Sequence, residues 1–483
     1  MPLTFDDFLM LAPLCIMQFL FPNNCSRYFF PHQKFSSNSV CFHLLICCTL
    51  ASSASASEPK KQNSLDGVTV QALDKELEMM QLATNLRLQT APQSQWRERR
   101  WFAYSVTNQT LTIIGALMNG CGRIHYRNMP GKAPKNLFVN ATWIRFVANA
   151  VSVVGSAAEA AIDLSKQRID KRAGIDLATY IKYATKNLSL IDAALLQRGQ
   201  LVAHEENIGI RDLLNRENKI LNDMRECCAD DLEEAYIRAK SVRASRYFQY
   251  SWVGLSNAAG GAGTLANNIA AINDKPLRLT WAGGVGDVIS GSMNMITPEL
   301  VDDAGYLAAR AAGHPLTKEL SFSSKASLLT KFDADLQNFH SSILSSSNIS
   351  DGVALRQNVY DVEKNILDQR FSSRPKPPKG TVGRVVGNFG SAVGGAGKLT
   401  NGVETLVGNF KYTKNGHQRF ENLGGGGIVY GAGTAVAEEE TVRREVISEM
   451  TWHRLPKEKR LAQILKAQLA LLDKARADLK AGP

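Results

Sequence analysis

The sequence predicts an all-α protein in which three hairpins of small-residue, Gly/Ala-rich helices are joined by long amphipathic helices that form a bundle. Three observations carry this expectation. Apolar residues recur at three, four and seven over long stretches, as on one face of a helix. No proline interrupts the chain between Lys135 and Lys275, so long helices are permitted there. And a phrase of small residues is repeated: "AAGGAGTLANNI", residues 258–269, returns as "AVGGAGKLTNGV", residues 392–403. Strand signals are scarce throughout.

The amino-terminal segment, residues 1–57, reads as a leader. Its signal-like part, residues 40–57, has an apolar core from Val40 to Leu50, then small residues in which Ala54 and Ala56 fit an A-x-A cleavage rule, followed by Glu58, Lys60 and Lys61. A second apolar run, Phe8 to Phe21, precedes it. The reading is either a start site downstream of Met1 or an unusually long leader; retention as a membrane anchor is the alternative. The expectation is therefore export to the cell envelope, membrane-associated, periplasmic or secreted. Of the 8 cysteines, Cys15, Cys25, Cys41, Cys47 and Cys48 fall in the leader. Cys121, Cys227 and Cys228 remain, an odd set that is no disulfide framework.

Residues 58–99 form a polar lead-in and a first amphipathic helix marked by Leu73, Leu77 and Met80. The repeat then opens at "RWFAYSVTNQTL", residues 100–111, whose Arg, aromatic, Phe, Tyr and Ser positions recur in "RYFQYSWVGLSN", residues 246–257. Each such segment is followed, after a short loop, by a second small-residue segment: from Thr142, from Thr280 and from Phe420. The units are residues 100–245, 246–371 and, beyond the proline-rich linker 372–380, residues 381–483. Amphipathic patterns lie between the hairpins (Ile181, Leu188, Ile191, Leu195; Leu214, Leu221, Met224, Cys228, Leu232) and in the tail (Leu461, Leu465, Leu472, Leu479).

Small side chains four apart share a helix face. Gly254, Ala258, Ala262, Ala266 and Ala270 keep that spacing, as do Gly383, Gly387, Ser391 and Gly395 and, in the first hairpin, Ala148, Ser152, Ser156 and Ala160. Such a stripe lets helices approach backbone to backbone. The residues expected to make these packing contacts are Gly254, Ala258, Gly260, Gly261, Ala262, Gly263, Gly383, Gly387, Gly394, Gly395 and Gly397. Glycine inside a helix costs roughly 0.5 to 1 kcal/mol against alanine, so tight packing or a bilayer must restore helicity. The uncharged runs Trp101–Gly122 and Tyr247–Asn273 are long enough to cross a bilayer, and aromatic and arginine residues flank them. Against that, Arg145, Glu159 and Asp287 interrupt the partner segments, and a central Asp costs about 2.5 to 3.5 kcal/mol on insertion scales.

Enzymatic signatures fail in detail. "GSAVGGAGKLT", residues 390–400, lacks the glycine and the Ser/Thr that a phosphate loop needs around Lys398. "HEENI", residues 204–208, lacks the second zinc-binding histidine. His125, His314, His340, His417 and His453 show no ligand spacing, and Cys228 shares a helix face with Leu221 and Leu232, which suits a packed thiol. No catalytic, cofactor or metal residues are nominated. The formal net charge of +11 lies outside the leader, where Arg27 and Lys34 cancel Asp6 and Asp7. It suits anionic lipid, while no basic block interleaved with aromatics points to nucleic acid. The sequence thus predicts a non-enzymatic envelope protein whose partners are membrane lipid and other copies of itself. The alternative is a soluble secreted helical module that binds an anionic partner through its basic surface.

Overall fold

The computed structural model describes residues 64–92, 95–128, 135–273, 277–317, 325–344, 351–372, 388–411 and 416–482, and these are helical with no strand among them. The leader, nearly all of the proline-rich linker, Gly383 and Gly387 lie outside the described residues. In chain order the helices are α1 (Leu65–Thr90), α2 (Trp96–Asn128), α3 (Lys135–Arg172), α4 (Leu177–Ala203), α5 (Ile208–Asn273), α6 (Leu277–Ala312), α7 (Lys325–Leu344), α8 (Asp351–Ser372), α9 (Phe389–Lys411), α10 (Gly416–Arg454) and α11 (Leu461–Ala481). The first boundary between repeat units, at residues 245 and 246, falls inside α5, a single helix of 66 residues. At 1.5 Å per residue that helix is about 100 Å long.

Local chemistry sets several ends. Ser64 caps α1, its side chain accepting from the amide of Gly67. Gly174 and Gly313 follow α3 and α6 with φ of 69° and 64°, a backbone conformation that glycine adopts without a Cβ penalty.

One half of the molecule, here termed the head, has an ordinary apolar core. Leu73, Leu77 and Met80 of α1 pack with Leu188 and Ile191 of α4, Leu221, Met224, Cys228 and Leu232 of α5, Phe332 and Phe339 of α7, Tyr360 and Leu367 of α8, and Leu472 and Leu479 of α11. The predicted amphipathic faces therefore meet, although Leu461 stays exposed. Buried ion pairs tie these helices together. Arg198 of α4 donates to Thr69 of α1 and pairs with Glu217 of α5, which also holds Arg356 and the Tyr360 hydroxyl of α8 at 2.7 and 2.8 Å. Arg370 of α8 and Arg87 of α1 share Asp231 of α5.

The other half is a ring. Its neighbours in order are α2, α3, the C-terminal half of α5, α6, α9 and the N-terminal half of α10, which returns to α2. Each adjacent pair runs antiparallel. Between α5 and α6, for example, Trp252 meets Met293, Ser256 meets Ser290 and Gly263 meets Gly283. The ring closes within one chain.

Glu76 and Glu363 lie fully buried in the head, and none of their carboxyl oxygens has a hydrogen-bond partner among the described residues. Desolvation, and for Glu76 the Glu363 charge as well, raises both well above the usual carboxylate range. A group whose native pKa is raised contributes its stability in full below its unfolded pKa, near 4.3, and loses it as pH rises toward the native value. The double variant Glu76→Gln, Glu363→Gln is accordingly expected to melt near the parent at pH 4. It gains on the parent above that, by about 1.4 kcal/mol per pH unit for each carboxyl still protonated in the native state. Thermal unfolding of the full chain as a function of pH measures this; a melting difference that does not change with pH would show that the pair is ionised or hydrated.

Candidate functional site: a polar axis inside the ring

In the ring the sense of burial is the reverse of that in the head. Facing inward are Thr112 and Asn119 of α2, Arg145, Asn149 and Ser152 of α3, Asn257, Thr264 and Asn268 of α5, Asp287 and Ser290 of α6, Lys398, Asn401, Thr405 and Asn409 of α9, and Thr434 of α10, all buried. Facing outward, each helix exposes large apolar side chains: Leu117 of α2 (64% exposed), Val154 of α3 (66%), Leu255 of α5 (61%), Ile289 of α6, Val403 of α9 and Ile428 of α10. The face that α5 buries continues at helical spacing from Leu232 and Ala239 through Tyr250 and Asn257 to Thr264 and Asn268. It passes from apolar to polar without a break in the helix.

Long side chains bridge the interior. Arg145 donates to Asp287 Oδ2 at 2.9 Å, joining α3 to α6, and Asn401 Nδ2 donates to the same oxygen at 2.7 Å from α9. Arg145 also lies over the Tyr430 ring of α10, 4.8 Å from its centroid. One turn toward the head, Lys398 Nζ donates to Asn149 Oδ1 at 3.3 Å and stands 5.9 Å from the same ring. Arg145 Nε, Asn119 Oδ1, Asp287 Oδ1, Asn401 Oδ1, Asn409 Nδ2 and both amide atoms of Asn268 are buried with no protein partner among the described residues. An unmet buried polar group costs roughly 1–3 kcal/mol, and such groups in protein interiors are typically hydrated.

At the head end the axis widens into a cavity of about 780 Å³ whose lining runs from Arg97, Arg246 and Arg444 down to Asn257, Tyr430 and Lys398. Around this mouth, Arg100 pairs with Glu159 at 2.6 Å, Arg99 with Glu449 at 2.6 Å, and Arg97 Nε donates to the Tyr250 hydroxyl at 2.7 Å. The repeated Arg-aromatic phrase is thus part of the rim: the Trp101 and Tyr250 rings lie 5.5 Å apart.

Glycine closes the ring. A Cβ on Gly263 would stand 2.8 Å from the Gly283 carbonyl oxygen, one on Gly395 2.7 Å from the Met295 amide nitrogen, and one on Gly397 3.0 Å from the Val429 carbonyl oxygen. These are backbone contacts between α5 and α6, α6 and α9, and α9 and α10. Gly260 faces Lys398, Gly261 lies against Asn149, Gly394 against Ala437 and Gly254 against Ser156. The expected stripe through Ala258 and Ala262 is not the contact face, because both are exposed. The buried line runs instead through Ser256, Gly260, Gly263 and Asn267. The polar residues of the same phrase turn that line inward and leave the alanines outside.

Sequence reasoning noted Arg145 and Asp287 as faults in two spans, and Lys398 as part of a failed phosphate loop. The ring brings all three together. Cys227 and Cys228 are packed in the head. Burial and neighbouring carboxylates push the Cys227 thiol up to about 12 and Cys228 well above its usual range, so both stay protonated and unreactive at neutral pH. No group of three or more His, Cys, Asp and Glu suited to a metal occurs among the described residues. No protein-family model matches the chain, and no curated protein or solved structure shows significant similarity to it.

Two kinds of glycine should respond oppositely to alanine. Gly263→Ala and Gly291→Ala place a methyl against the neighbouring backbone, 2.8 and 2.5 Å from its nearest atom. Each is expected to destabilise by about 1–3 kcal/mol. Gly199→Ala, inside α4 with nothing within 4 Å of the new carbon, is expected to stabilise by about 0.5–1 kcal/mol. Thermal melts of the three variants decide it; equal shifts would mean that helix propensity and not close approach governs these sites.

Proposed function

We propose that this is a non-enzymatic, exported protein of the cell envelope whose ring of helices sits in a lipid bilayer, with the head outside it. The observation that carries the reading is the inverted burial of the ring: amides, hydroxyls and an Arg–Asp pair inside, and a belt of Leu, Val, Ile and aromatic side chains outside. Monomeric soluble proteins rarely expose contiguous apolar patches beyond a few hundred Å², whereas this polarity suits hydrocarbon around a hydrated axis. Among the charged residues of the ring segments the rule holds for three, while Glu404 of α9 is half-buried. Arg145, Asp287 and Lys398 are buried on the axis.

Mean hydropathy explains why the spans are weak by composition. Among the described residues only the stretch Asn136–Ala203 is apolar enough to cross a membrane, with a mean hydropathy of 1.5 in its best window. In the other helices the inner polar residues dilute the outer belt. Glycine-rich helices also suit this setting, since no water competes for their backbone groups within hydrocarbon. Lipid is the partner in this reading, and a second copy is not required to complete the ring. The alternative of a soluble secreted module that binds an anionic partner leaves the belt in water.

Alkaline carbonate washing of membranes from cells expressing the full chain tests the proposal, with the double variant Leu117→Arg, Val403→Arg as comparator. The parent chain is expected to stay with the lipid. The variant, charged on the outer belt at roughly 2.5–3.5 kcal/mol per arginine on insertion scales, is expected to be released. A parent chain that washes off, or a variant retained as fully as the parent, would favour the soluble module.

A further inference from the structure

The cavity above Lys398 is blind. Below it the axis is bridged by Arg145, Asp287 and Asn401, with the Tyr430 ring beside them. Above it the lining climbs α10 from Tyr430 to Ser448, about 27 Å of helix at 1.5 Å per residue. A volume of about 780 Å³ drawn out over that length makes a narrow slot. Carboxylates and cations line it in equal number, so its formal charges balance, but they are unevenly placed. Lys398 stands at the floor and the others stand higher, toward the mouth.

The wall offers acceptors that the protein leaves unmet. Gln109 Oε1 and, at the mouth, Glu98 Oε2 are buried with no protein partner among the described residues. α6 adds another: Pro298, inside that helix, has no amide to give the Asn294 carbonyl one turn below, and both residues line the slot. Ser105, Asn108, Asn257 and Thr434 continue the polar surface, which a hydrocarbon chain would leave unpaired. An occupant must therefore bring N–H or O–H donors along its length. At the floor, Lys398 is 2% exposed and has no carboxylate within ion-pairing distance among the described residues; its ammonium donates to Asn149 Oδ1 at 3.3 Å. A buried cation without a counter-charge is costly. Packing does not require it. In the aligned repeat the position is Thr264, also buried, whose hydroxyl is satisfied by the Gly260 and Gly261 carbonyls of its own helix.

We infer that this slot binds a short peptide in extended form, its free carboxyl end on the Lys398 ammonium and its amino end toward Glu98 at the mouth. One cation at the floor calls for a monoanion, a carboxylate in preference to a doubly charged phosphate. A peptide carries that group at one end, a cation at the other and an N–H at nearly every residue between, which matches a slot of balanced charge and unmet acceptors. About eight residues at ~3.3 Å each fill its length. The inference goes beyond the membrane reading and does not depend on it, because the slot lies inside the ring whatever covers the outer belt.

Calorimetric titration of the purified full chain in mild detergent, with an octapeptide of alternating glycine and serine as probe, tests this. The parent is expected to bind the free-acid peptide about tenfold or more tightly than the same peptide as its C-terminal amide. Lys398→Thr should bring the free acid down to the affinity of the amide and leave the amide unchanged. Glu98→Gln should weaken the free-acid peptide several-fold, and N-acetylation of the peptide should abolish the difference between that variant and the parent. A parent that binds neither peptide, or binds acid and amide equally, would overturn the inference, and this comparison needs no variant to fold. So would a Lys398→Thr chain that keeps the preference for the free acid. A uronic-acid oligosaccharide that binds more tightly than the peptide, and loses that advantage in Lys398→Thr, would also overturn it and assign the slot to acidic sugars.

Discussion

The structure depends on a reversal of polarity along one helix. α5 buries Leu221, Met224 and Leu232 in its first half and Asn257, Thr264 and Asn268 in its second, on one continuing face. On the membrane reading proposed above, the first half needs water outside it and the second does not. Everything that packs on the second half must then satisfy polar atoms inside, which is why Arg145, Asp287 and Asn401 are linked across the ring. Removing one member of such a buried pair leaves an uncompensated charge at a cost of roughly 3–5 kcal/mol, so the three helices that supply them are held in register.

Glycine makes this interior possible. Six helices whose inner faces carry Asn, Thr and Ser have little apolar volume with which to pack, so the dispersion attraction that a leucine core would supply has to come from the helix flanks instead. Gly263 against Gly286, Gly395 against Gly291 and Gly397 against Gly433 bring backbones together at those flanks. The helicity that glycine surrenders, roughly 0.5–1 kcal/mol at each site, is offset by that close approach and, in hydrocarbon, by the absence of competing water. Where the phrase departs from its copy, Lys398 for Thr264, the change introduces charge and not a different packing surface.

The head follows the opposite rules. Its leucine-rich core is drawn from both ends of the helical body, α1 and α11, with α4, α7 and α8 between them, so the ring is inserted into a bundle that those two helices close. Ion pairs such as Arg198–Glu217–Arg356 add geometry to that bundle, because each carboxylate must meet donors from separate helices at once. Through α5 the two halves share one continuous backbone, which fixes the rim of the axis relative to the head.

Helix class, the amphipathic seams and the recurrence of the small-residue phrase follow from sequence alone, because periodicity and proline spacing are local properties. Glycine as a helix-contact residue was legible: Gly263, Gly395 and Gly397 stand against a neighbouring backbone, while Gly260 makes room for the Lys398 side chain, Gly394 meets the Ala437 side chain and Gly261 lies at ordinary contact distance from Asn149. The face was not legible. A stripe of every fourth residue passed through Ala258 and Ala262, whereas burial follows Ser256, Gly260, Gly263 and Asn267, because neighbours on two flanks and an interior compete for one helix surface. Nor could the sequence join Arg145, Asp287 and Lys398, which lie far apart along the chain and looked like flaws in three separate segments. Only the closure of the ring gathers their charges around one axis, and it is that proximity, a tertiary fact, that turns isolated polar interruptions into a site.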